Sequence, residues 1–160
     1  MDIEWHDGAR AELLPLFRLA EDSPVQLDSY LDQGRVLVAR AGPELVGELQ
    51  LIPAAEPGEI EIKSLAVAPQ AQGTGVGRAL VFSARDRCRA EGRTRLLVST
   101  AAADTGNLRF YQRVGFRMLS VERDAFTPAT GYPEPILLNG IPLRDRVWFS
   151  QELDQDASRA

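Results

Sequence analysis

Residues 70–80 read "QAQGTGVGRAL", and this stretch constrains the fold more than any other in the chain. Gly73, Gly75 and Gly77 alternate with single residues, then Arg78 and an apolar helical pattern follow. A glycine costs a helix about 1 kcal/mol against alanine, so three of them at a helix start need a reason. A strand reads up to Val67, a turn follows, and a helix opens near Gly75. The first turn of a helix leaves N–H groups unpaired and carries partial positive charge. Glycines let an anion approach that backbone closely, and Arg78 can add a charge-assisted contact. The run therefore reads either as a phosphate or pyrophosphate cradle or as a tight, closely packed strand–helix turn.

Two other phosphate patterns fit poorly. A Walker A loop needs a lysine and a Ser or Thr after its last glycine, whereas Arg78 and Ala79 follow Gly77. A dinucleotide fingerprint needs G-x-G-x-x-G in a parallel strand–helix–strand unit. Here the spacing is G-x-G-x-G and the preceding strands read as hairpins.

Around this run the spacing predicts helices over 9–22 and from the Ser23-Pro24 cap to about residue 33. Two strands join at Gly42-Pro43, "AAEPG" is a second turn, and "EIEIKSLAVAP" is a further strand ending at Pro69. The strongest helix signal spans 75–92, with Gly92 at its C-terminal cap. A strand at 93–100, a helix at 105–115 and two last strands complete the order β-α-α-β-β-β-α-β-α-β-β, a mixed sheet with helices on its faces. Between the last strands, "AFTPATGYPEPILLNGIP" reads as irregular. At 160 residues the chain is expected to form one domain, 1–160.

"EIKSLAVAP", "QAQGTGVGRAL" and "NLRFYQRVGF", in this order, resemble the motifs of the GNAT superfamily of N-acetyltransferases. Gln72, Gly75 and Gly77 occupy the fixed positions of its Q/R-x-x-G-x-G/A signature, and the three segments together cover residues 58–117. The resemblance implies an α/β fold with a mostly antiparallel central sheet flanked by helices, and acetyl-CoA as donor. It implies that backbone N–H groups of Gln72, Gly73, Thr74, Gly75, Val76, Gly77 and Arg78 hold the pyrophosphate. It also implies that Leu65, Ala66 and Val67 lie on a strand splayed from its neighbour and bond the pantetheine arm and acetyl carbonyl, as an added strand would. It further implies direct attack of an amine on the thioester, through a tetrahedral intermediate whose oxyanion the Val67 N–H is placed to stabilise.

Tyr111 matches the family's general-acid tyrosine; its bland role is a half-buried aromatic packing a helix on the sheet. Asn107, one turn earlier, faces the same way and either bonds the pantetheine or contacts its own backbone. Glu61 is the candidate base, placed with Glu59 and Lys63 on one strand face while Ile60, Ile62 and Ser64 take the other. A solvated strand face and a base made of a water chain are the alternatives. Ser64 and Thr100 are possible supporting groups. His6, the only histidine, reads as an incidental surface residue, and Cys88, the only cysteine, as helix packing. Segment 126–140, with Phe126, Tyr132 and its prolines, reads either as a stiff loop over an acceptor pocket or as sheet-edge packing.

The expected acceptor is a small-molecule amine. Protein N-terminal or lysine acetylation, and a sensor that binds acetyl-CoA without turnover, are the alternatives. A net charge of −5 argues against nucleic acid as a partner. One cysteine, one histidine and no ligand spacing offer no metal site. No apolar run approaches the roughly 20 residues that span a bilayer, and "MDIEWHDGAR" does not resemble a secretory signal. A reducing cytoplasm is the expected location, and a homodimer is left open.

Overall fold

The computed structural model describes residues 1–153; the last seven positions of the expected domain lie outside the described residues. The elements run β1 (Asp2–Trp5), α1 (Leu14–Ala20), α2 (Pro24–Tyr30), β2 (Arg35–Ala41), β3 (Glu44–Pro53), β4 (Glu59–Val67), α3 (Val76–Ala90), β5 (Arg95–Ala101), α4 (Thr105–Arg113), β6 (Arg117–Glu122), β7 (Leu137–Leu138), β8 (Ile141–Pro142) and β9 (Arg146–Glu152). Seven strands form one sheet in the order β1-β2-β3-β4-β5-β9-β6. All neighbours are antiparallel except β4 and β5.

Alternation along the strands feeds a core on each face. On one face Val36 and Val38 pack with Leu13, Phe17, Leu27 and Tyr30 from the α1–α2 region. On the other, Leu37, Leu49, Leu51, Ile60 and Ile62 meet Leu80, Val81 and Ala84 of α3 and Tyr111 of α4. Local signals place the helices. The Ser23 hydroxyl accepts from the Gln26 N–H at 3.2 Å and Pro24 opens α2. Buried Gln50 on β3 donates to the carbonyls of Tyr30 and Gln33, fixing the far end of α2.

Three expectations change. The parallel β4–β5 pairing runs only from Glu59↔Arg95 to Ile62↔Val98. At the next residue β4 bulges: Ile62 opposes Leu51 and Ser64 opposes Gln50, with Lys63 extra. A bulge moves the following side chains to the other face. Ser64 therefore joins the Glu61 and Lys63 side, under α1, and not the Ile60 and Ile62 side. Burial still alternates without a break, because both faces are covered. Next, segment 126–140 is not wholly irregular. It holds a capped 3-10 turn at Pro128–Thr130 and a small hairpin, β7–β8, turning at Asn139-Gly140 with both residues at positive φ. Asn-Gly is a strong hairpin signal that the sequence carries openly. Last, His6 is not a surface residue: its side chain is 3% exposed and Nε2 donates to the Ala9 carbonyl at 3.1 Å. Cys88 is fully buried in the α3 core.

Candidate active site

Where β4 and β5 part, a cavity of about 520 Å³ opens. Its walls bring together Glu61, Leu65, Ala66, Val67, Gln72, Gly77, Asn107 and Tyr111 from the sequence reading. Gly73, Thr74 and Gly75 on the exposed loop and Arg78 in the first turn of α3 lie outside it, and Val76 is buried.

The loop supplies backbone donors. The first helical bond of α3 is Ala79 N–H to Gly75 carbonyl at 3.0 Å. Among the described residues, the N–H groups of Gly73, Thr74, Gly75, Val76, Gly77 and Arg78 have no acceptor in the protein. Gly73 and Gly75 sit at φ 78° and 93°, where a side chain is strained. An added Cβ at either would meet nothing within 4 Å, so backbone conformation and open approach, rather than packing, call for glycine there. Gly77 differs: its Cβ would touch Phe110 of α4 at 3.4 Å. The Arg78 guanidinium lies over the Phe82 ring at 4.4 Å, on the same surface as the open amides.

The strand edge supplies the rest. Ala68 N–H bonds the Val46 carbonyl of β3 at 2.8 Å. Peptide groups alternate in direction along a strand. Ala66 thus turns its backbone toward β3, and Leu65 and Val67 turn theirs into the gap, beyond the last β5 partner. Gln72 Nε2 donates to the Val67 carbonyl at 3.1 Å, tying the signature glutamine to this edge.

Tyr111 stands between the two arms of the gap. Phe110, Phe116 and Phe149 hold its ring at centroid distances of 5.2, 5.8 and 5.8 Å. Its hydroxyl meets no partner among the described residues, and burial pushes its pKa well above the usual phenol range. It stays a proton donor at any working pH. Asn107 does contact its neighbourhood: its N–H is capped by Asp104 Oδ1 at 2.9 Å and its Nδ2 donates to Thr100 Oγ1 at 3.2 Å.

The opposite end of the cavity is made of side chains. Leu19, Ala20, Glu21 and Asp22 line it together with Tyr30 and Lys63 and with Phe126, Tyr132, Leu138, Leu143 and Arg146. Glu21 organises it, accepting from Tyr132 Oη at 2.6 Å, Tyr30 Oη at 3.1 Å and the Ser23 N–H at 3.2 Å. Tyr132 meets Phe126 edge to face at 5.1 Å, and Gln26 Nε2 ties the Thr130 carbonyl to α2 at 2.6 Å. The 126–140 segment is thus a wall of the cavity. Lys63 Nζ lies 4.8 Å over the Tyr30 ring. Burial raises the Glu61 pKa, and the charges of Lys63 and Arg146 pull it back. Burial and Glu21 together raise Asp22. Sequence reasoning missed Glu21, Tyr30 and Asp22, which come from a helix end and a loop with no motif to mark them. It also missed Glu48, fully buried beside Ser64.

A half-opened parallel strand pair, a run of open amides at a helix start and a protonated tyrosine between them define an acyl-CoA-dependent acyltransferase site. The comparisons agree. The Acetyltransferase (GNAT) family matches residues 4–116. The chain is 34% identical over 145 residues to the uncharacterized N-acetyltransferase YvbK of Bacillus subtilis, covering 91% of this chain and 92% of that one. A Bacillus subtilis acetyltransferase solved in complex with CoA superposes with a TM-score of 0.86 at 33% identity, covering 95% and 98% of the two chains. A GNAT family acetyltransferase from Elizabethkingia anophelis with acetyl-CoA bound gives 0.87 at 31%, covering 95% and 97%. This chain belongs to the GNAT acetyltransferase family. It is an acetyl-CoA-dependent acyltransferase, with the mixed, mostly antiparallel α/β fold of those structures. Among the described residues no group of side chains could hold a metal ion, and no helix is long and apolar enough to cross a membrane.

Proposed function

We propose that the protein transfers acetyl from acetyl-CoA to a primary amine of a small molecule. The observation that carries this is the coincidence of the free β4 edge and Tyr111 in one cavity with the open amides of residues 73–78, which adjoin it at Gly77. Open amides with a helix dipole behind them suit a pyrophosphate. The Leu65 and Val67 peptide groups suit the amide-bearing arm, and the Val67 N–H suits the oxyanion. The thioester supplies an activated acetyl group, and Tyr111 supplies the proton that the departing thiolate needs. Asn107 and Thr100 brace the β5 side. Glu61 offers a carboxylate at the acceptor end, where it can hold an incoming ammonium or receive its proton.

The side-chain wall at the acceptor end favours a small substrate over a peptide. Tyr132 reaches across to Glu21 and Phe126 packs on Tyr132, so side chains from both ends of the sequence wall this end. The single cysteine, buried and unpaired, suits a reducing cytoplasm.

The test is thiol release from acetyl-CoA across a panel of small amines, lysine peptides and N-terminal peptides. Small amines should be turned over. Tyr111→Phe should lower kcat on the order of 100-fold with acetyl-CoA affinity unchanged. Turnover of peptides alone would reassign the acceptor, and tight acetyl-CoA binding without thiol release on anything would make the protein a sensor.

A further inference from the structure

Glu48 has no place in the mechanism so far, yet it is a fully buried carboxyl with an unpartnered oxygen in the middle of the sheet. β3 carries it between Val38 and Ala66, and its side chain is wholly removed from solvent on the α1–α2 face. No cation pairs with it among the described residues. Ser64 Oγ donates to its Oε1 at 2.6 Å, and Oε2 has no partner. The ionisable groups it acts on are the hydroxyls of Tyr30 on α2 and Tyr111 on α4, both facing the cavity. A half-satisfied buried carboxyl destabilises a fold, and an apolar side chain there would not. Burial pushes its pKa up to about 8, with the Ser64 hydrogen bond pulling the other way. The one partner it has leads to the site. Ser64 lines the cavity, on β4 just before Leu65, and the Lys63 bulge is what turns it there.

Resting on the acetyl-transfer reading of this cavity, we propose that Ser64 and Glu48 form the relay that takes the proton from the attacking amine. As the N–C bond forms and the C–S bond breaks, the amine N–H proton passes to Ser64 Oγ, directly or across one water. Ser64 gives its own proton to Glu48 Oε1, along the bond already present. Tyr111 protonates the leaving thiolate. The excess proton on Glu48 then returns by the same path to solvent, and Tyr111 is reprotonated. Glu48 touches no substrate and acts by positioning and relieving Ser64. Glu61, flanked by Lys63 and Arg146, then holds the incoming ammonium, which gives its first proton to solvent water before the neutral amine attacks.

The test compares Glu48→Gln, Ser64→Ala and Glu61→Gln across a pH series at saturating acceptor. Glu48→Gln and Ser64→Ala should each lower kcat by roughly 100-fold. In Glu48→Gln the acid limb of the kcat profile should also disappear. Glu61→Gln should keep that limb and raise the acceptor KM. Full kcat with an intact limb in Glu48→Gln, or loss of the limb in Glu61→Gln instead, overturns the relay and leaves the transferase reading standing. Should Glu48→Gln fail to fold, Ser64→Ala, which deletes one oxygen, decides by the same criterion. A readout without turnover is difference infrared spectroscopy of the free protein. A buried protonated-carboxyl band should be present at about pH 6, lost by about pH 9 and absent from Glu48→Gln; its absence from the wild type overturns the relay. A protein that shows the band and binds acetyl-CoA but acetylates no amine overturns the transferase reading and the relay together.

Discussion

The two ends of the cavity are built from different material. The donor end is main chain: the open amides of residues 73–78 and the free β4 edge at Leu65 and Val67. The acceptor end is side chain: Glu21, Asp22, Tyr30, Glu61, Lys63, Tyr132 and Arg146, drawn from both ends of the sequence. Backbone recognition demands glycine and a fixed strand–turn–helix order, so it writes a contiguous motif. Side-chain recognition demands only that residues arrive in the same place, so it writes none.

The largest test of this contrast is Gly75→Glu. It places a carboxylate and a strained φ at the centre of the amide run, so acetyl-CoA affinity should fall more than 100-fold by calorimetry. The fold should lose only about 1–3 kcal/mol in denaturant melts, because nothing packs against that Cβ. Gly75→Ala isolates the strain and should retain measurable binding. If Gly75→Glu still binds CoA normally, the donor end is not main chain.

A second prediction concerns the buried link between the ends. Glu48 is protonated more readily in the folded state than in the unfolded chain, about 8 against 4.5. Its contribution to stability is therefore full below about pH 4.5 and is lost as pH rises through about 8, by up to about 1.4 kcal/mol per pH unit. Asp22 and Glu61, also raised by burial, add slope of the same sign. Unfolding free energies of wild type and Glu48→Gln, measured from pH 5 to 9, should converge toward pH 5, separate in the variant's favour as pH rises to about 8, and keep that gap above it. Parallel curves would mean that Glu48 is not buried in its ionised form.

The smallest effect tests the acceptor end. Tyr132→Phe removes a 2.6 Å hydrogen bond to Glu21 and keeps the ring against Phe126. Acceptor KM should rise several-fold, in line with about 1 kcal/mol for one hydrogen bond, and CoA affinity should not change. A shift in CoA affinity would show that the two ends are coupled.

Much of the fold was legible because local chemistry dictated it. Ser23-Pro24 capped α2, Gly42-Pro43 turned the β2–β3 hairpin, and Gly92 and Gly115 followed helix ends at positive φ. The Asn139-Gly140 hairpin was equally open to reading but was hidden by the prolines around it. The faces of β4 were not legible beyond Lys63. A strict period of two assigns Ser64 with Ile62, and only the pairing with β3 reveals the extra residue that turns it toward Glu48. His6 looked peripheral because it lies near the chain start, yet a carbonyl and the packing of 9–12 cover it.

By itself the sequence determined the donor end: residues adjacent in the chain create the turn, the free amides and the glycine conformations within a few bonds of one another. The tertiary structure alone decided the rest. It parted β4 from β5, bulged the strand at Lys63, sank Glu48 behind Ser64 and carried Tyr132 across to Glu21. Each of these depends on the register of strands and the packing of segments far apart in sequence, where long-range burial outweighs any local preference.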